Sequence, residues 1–97
     1  MIDFTQRLVF ASDVIVQAID GEALLLKLHD EDVFALNATA ARIAQLISEG
    51  HRLDTLIDML AAEYDVGRDE VKREVSALVA TLLTKRLVLI AGDPADA

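Results

Sequence analysis

The chain has 97 residues, 54% apolar and 27% charged, with one proline, four glycines and no cysteine, which is room for one compact domain and not two, since domains run to about 100–150 residues. Seventeen acidic side chains against nine basic ones give a net charge of −8, a balance that repels phosphate backbones and argues against a nucleic-acid partner. The lack of cysteine excludes disulfide scaffolds, thiolate metal sites, iron–sulfur clusters and cysteine nucleophiles; no apolar run approaches the ~20 residues that span a bilayer, and without a secretory signal the expected compartment is the cytoplasm.

Residues Met1 to Asp13 carry Phe4, Leu8, Val9 and Phe10 without a sustained period and read as a tail or short extended segment. The body is expected over residues 14–90, followed by a frayed tail over 91–97. Val14 to Ile19 is β-branched, Asp20-Gly21 is a two-residue turn signal, and Glu22 to Leu28 resumes the apolar run, which together predict a β-hairpin. The polar cluster His29-Asp30-Glu31-Asp32 reads as a tight turn into a third strand, Val33 to Leu36. Asn37 and Thr39 both suit a helix N-cap. The helix that follows carries Ala40, Ile43, Ala44, Leu46 and Ile47 on one stripe and ends at Gly50. Leu53, Leu56, Ile57 and Leu60 mark a second helix that fades near Tyr64.

A third and longest helix starts near Asp69, with Val71, Val75, Leu78 and Leu82 as its core stripe. One flank of that stripe holds Val79 and Leu83 beside Lys72, Ser76 and Arg86; the other holds Glu74, Thr81 and Lys85. A last short strand spans Leu87 to Ile90. The predicted architecture is therefore α+β: a three-stranded antiparallel sheet followed by three helices, in a layout like that of a winged helix-turn-helix.

Catalytic signatures are missing. There is no glycine-rich phosphate loop and no nucleophile elbow. His29 and His51 fall in polar turns without helical metal-pair spacing, and Asp30, Glu31 and Asp32 lack the spaced oxygens and central glycine of a calcium loop. Neither a catalytic residue, a metal nor a cofactor is expected. A winged-helix shape permits DNA binding, but Asp69, Glu70 and Glu74 interrupt the basic residues of the third helix, so the electrostatics oppose it.

The run DGEALLLKLHDEDVFALNATAARIAQLISEGHRLDTLIDMLAAEYDV resembles the PqqD-like family, the peptide chaperones of pyrroloquinoline quinone biosynthesis and, more widely, the RiPP recognition elements that bind leader peptides of ribosomally made natural products. The likeness lies in the Asp20-Gly21 hairpin, the strand Phe34-Ala35-Leu36-Asn37 ahead of a helix, Gly50 after that helix, and the stretch from Leu60 to Val66. One departure is the absence of a bulky aromatic in the first helix, where this chain has Ile43 and Leu46. The resemblance implies a non-catalytic binding module in which a leader peptide adds as an extra strand beside the third strand and lies against the third helix.

An edge strand offers unpaired backbone groups to an extended peptide, and alternate side chains then enter pockets. On this reading Val33, Phe34, Ala35 and Leu36 form the ladder. Val75, Val79, Leu82 and Leu83 form the apolar wall, with Ser76 on the same flank, and Lys72 and Arg86 meet carboxylates of the leader. Val75 and Leu82 also fit a purely core role, whereas Val79 and Leu83 lie off the stripe, so that Val79→Glu is expected to block the groove. The implied partners are a precursor leader peptide and a separate enzyme, either a leader peptidase or a radical enzyme, with no nucleic acid and no membrane. Two other readings stay open: an acidic winged-helix regulator or protein–protein adaptor, and a homodimer, rather than a monomer, formed through the exposed strand edge or the N-terminal segment.

Overall fold

The computed structural model describes residues 2–28 and 33–91. The expected turn over residues 29–32, and all of the expected C-terminal tail but Ala91, lie outside the described residues. The elements in chain order are β1 (Leu8–Phe10), β2 (Val14–Ile19), β3 (Glu22–Lys27), β4 (Val33–Leu36), α1 (Ala38–Ser48), α2 (Leu53–Tyr64), α3 (Arg68–Thr84) and β5 (Val88–Ile90). The order β2-β3-β4 makes a three-stranded antiparallel sheet, as the α+β reading predicts, and β1 pairs antiparallel with β5 as a second, two-stranded sheet.

Local chemistry explains most of these boundaries. Asp20 and Gly21 both have positive φ, 49° and 82°, the pair of values that lets a two-residue turn follow the right-handed twist of its flanking strands. Asn37 caps α1: its Oδ1 accepts the Ala40 N–H at 2.9 Å. Gly50, at φ 88°, turns the chain out of α1, and Asp65, at φ 53°, ends α2 in the left-handed conformation. Helix α3 starts one residue earlier than the pattern suggests, with Gly67 as its cap and Asp69 and Glu70 in the first turn, where their charge complements the helix dipole.

The core is built mainly from β3, β4 and the three helices: Leu25 from β3, Leu36 from β4, Ile43, Leu46 and Ile47 from α1, Leu53, Leu56, Ile57 and Leu60 from α2, and Val71, Val75, Val79 and Leu82 from α3. No charged or polar side chain is buried among the described residues. The N-terminal segment, whose role the sequence leaves open, closes the far side. Its Phe4 and Gln6 carbonyls accept the Asp54 and Leu53 N–H groups at 2.8 and 3.0 Å. They satisfy the first orphan donors of α2, which Arg52 does not cap with its side chain. Leu8 of β1 then enters the core.

A candidate peptide-binding groove

The two-residue hairpin turn decides which way every backbone group in the sheet points. In such a turn the closing pair, Ile19 and Glu22, is hydrogen-bonded, and bonded pairs recur at every second residue. Glu22, Leu24 and Leu26 therefore direct their N–H and C=O groups at β2, while Ala23 and Leu25 direct theirs at β4. The register Ala23↔Leu36 and Leu25↔Phe34 then commits Phe34 and Leu36 to the ladder. Val33 and Ala35 are left with backbone donors and acceptors facing the open edge.

The side chains of β4 divide the same way. Phe34 and Leu36 share one face with Leu25 and Ala23, and Leu36 is buried, whereas Val33 and Ala35 are exposed on the other face. The expected ladder residues thus occupy an edge strand, but only two of the four present free backbone groups.

Helix α3 supplies the opposite wall with its other flank. The Lys85 ammonium, at the C-terminal cap of the helix, sits 5.7 Å from the centroid of the Phe34 ring, which puts the Glu74, Leu78, Thr81 and Lys85 side of α3 towards β4 at 100° per residue. The flank expected to face the peptide turns to the N-terminal segment. The Lys72 ammonium lies 4.8 Å over the Phe4 ring. Ser76, Val79 and Leu83 line a concavity whose other wall is Ile2, Asp3, Gln6 and Leu8, with no residue of β4.

Two expectations are corrected by these contacts. Val79 is completely buried, like Val75 and Leu82, because the N-terminal segment and β5 cover that flank and draw it into the core; all three are core residues. Leu78, expected in the core, is only half-buried and forms part of the open flank. The observed stripe Val71, Val75, Val79, Leu82 is rotated by about 25° from the expected one. Ser76 spends its hydroxyl on the Lys72 carbonyl, 2.6 Å away. Arg86 has left the helix at φ 58° and is exposed.

A cavity of about 300 Å³ lies between α1, the end of α2 and the first half of α3, and Thr39, three residues beyond the end of β4, lines it. Ile43, Leu60, Val71 and Val75 form its apolar floor, and Thr39, Tyr64, Glu70 and Glu74 stand around its rim. Nothing in the pattern of the chain marks this cavity, since its residues come from three helices and are buried for packing reasons. Nearby carboxylates are paired. Glu63 accepts from Arg42 at 2.9 to 3.2 Å and is held below the ordinary glutamate range by those bonds, and Asp58 accepts from Arg68 at 2.7 Å. Among the described residues no three histidine or carboxylate side chains gather as metal ligands, and no helix is long and apolar enough to cross a membrane.

The same frame recurs in known proteins. The model of the family described as coenzyme PQQ synthesis protein D (PqqD) matches residues 22–88. A structure described as TbiB1 in complex with the TbiA(beta) leader peptide is 33% identical, with a TM-score of 0.78 over 88% of this chain and 96% of that one. A lasso peptide synthetase B1 complexed with the leader peptide is 29% identical, with a TM-score of 0.78 over 86% of this chain and 98% of that one. No curated protein matches the chain.

Proposed function

The chain belongs to the PqqD family, and on that premise we propose that it binds the leader peptide of a ribosomally made precursor and presents the precursor to a separate enzyme. The observation that carries this reading is the free edge of β4: Val33 and Ala35 offer two N–H and two C=O groups to an added strand, opposite the half-buried Leu78 of α3. Main-chain pairing supplies affinity with little demand on sequence, and the side chains of the added strand select through the groove. The chain acts by binding and makes or breaks no bond itself. Tethering a precursor raises the concentration of its core segment near a partner enzyme, to the millimolar range for a short flexible tether. The likeness to a lasso peptide synthetase B1 supports a lasso-type pathway, and we propose a leader peptidase as the enzyme served, with a radical enzyme as the alternative.

The test is titration of a labelled leader peptide, taken from the precursor encoded beside this chain's gene, followed by fluorescence anisotropy. Binding tighter than about 1 mM is expected. Ala35→Pro removes one outward N–H without touching the ladder to β3, and it should weaken binding at least about tenfold, equivalent to about 1.4 kcal/mol. Equal affinity in that variant would rule out strand addition at β4.

A further inference from the structure

We infer that the cavity between the three helices, lined by Thr39 just past the end of β4 and by Glu74 on the flank of α3 that carries Leu78, is a subsite for a long cationic side chain, Lys or Arg, of the bound peptide; this rests on the leader-binding reading above. The shape of the site gives the first reason. A floor of Ile43, Leu60, Val71 and Val75 lies beneath a rim that carries Glu70 and Glu74. A lysine or arginine matches that profile from stem to tip, because its methylenes cover apolar surface while its charged head stays at the solvent boundary.

Charge supplies the second reason. Glu70 and Glu74 stand one helical turn apart, where like charges repel, and neither belongs to an ion pair among the described residues. Their neighbours Glu63 and Asp58 have arginine partners in Arg42 and Arg68. A cation held between the two rim carboxylates relieves their repulsion and gains charge-assisted hydrogen bonds. An apolar side chain fills the floor but partly desolvates the carboxylates for no return, and an acidic one is repelled. The excess of acidic residues over the whole chain, net charge −8, steers in the same direction.

The experiment is selection of displayed random dodecapeptides on the full chain, run in parallel on wild type, E70Q, E74Q, the double variant E70Q/E74Q and A35P. Both glutamates are exposed, so the glutamine variants should retain the wild-type circular dichroism. Wild type is expected to enrich peptides with Lys or Arg at one fixed position of an otherwise apolar strand. The double variant should keep the apolar pattern and lose the basic preference, with a selected peptide binding it about fivefold more weakly, the size of one partly exposed ion pair. The norleucine version of that peptide should bind wild type and double variant alike. Selection of the same basic residue by both proteins, or of none by wild type, overturns the subsite and leaves leader binding standing so long as A35P weakens capture. Capture undiminished in A35P, or no capture by any protein, overturns the leader-binding reading and the subsite with it.

Discussion

Leu78 and Leu83 have the same side chain and are both half-buried on α3, yet they face different surroundings. Leu78 lies on the Glu74–Lys85 side towards β4, while Leu83 lines the concavity against the N-terminal segment. Leu78→Ala should therefore weaken leader binding about fivefold, while Leu83→Ala leaves it unchanged although both lower stability by about 1–2 kcal/mol; anisotropy titrations and urea melts of the two variants make the comparison. Val79→Glu is a different kind of substitution from the one the pattern suggests. Its site is wholly enclosed, and burying an unpaired carboxylate costs more than about 4 kcal/mol, a large part of the total stability of a small domain. Circular dichroism should show the variant largely unfolded. Asn37→Ala removes a single cap bond and should cost about 1 kcal/mol in the same melts.

Among the elements, α1 and α2 are joined at the surface by Arg42 and Glu63, a contact with one consequence for pH. The bonds from Arg42 lower the Glu63 pKa in the folded state, so the folded protein holds its proton less readily than the unfolded chain does. The contribution to stability is complete above the unfolded glutamate pKa and disappears as pH falls through the depressed folded value. Glu63→Gln should lower the urea midpoint near pH 7, where the contribution is complete, and converge with the wild type towards pH 3, so that the acid limb of stability against pH is flatter. Helix α3 shows how far a pattern on one element reaches. Val71 is correctly placed in the core from its spacing, and Val75 and Leu82, read both as core stripe and as groove wall, prove to be core, because buried positions must recur at the helical period. Which flank adjoins them and which stays open is set by what packs alongside, and Val79 and Leu78 exchange their expected roles for that reason.

For the molecule as a whole, the N-terminal segment holds separate parts together. It caps α2 through Phe4 and Gln6, pairs β1 with β5, receives the Arg7 carbonyl bond from the Ala91 N–H at 2.9 Å, and covers one flank of α3. Removing residues 1–10 takes away the buried Leu8 and the cap of α2 together, and should lower stability by more than about 3 kcal/mol; thermal melts of the truncated chain check this. The hairpin, the β4 strand and the turn at Gly50 were legible in the order of residues, because each depends on neighbours within a turn or two, and the membership of the PqqD family was legible in the order and spacing of such local motifs; of the two cap candidates, Asn37 and Thr39, the structure selects Asn37. The side of α3 that borders the groove, the covering of Val79, and the cavity rimmed by Glu70 and Glu74 were decided only in three dimensions. Each depends on contacts between segments tens of residues apart, and a helical stripe read alone does not say which neighbour will fill its flanks.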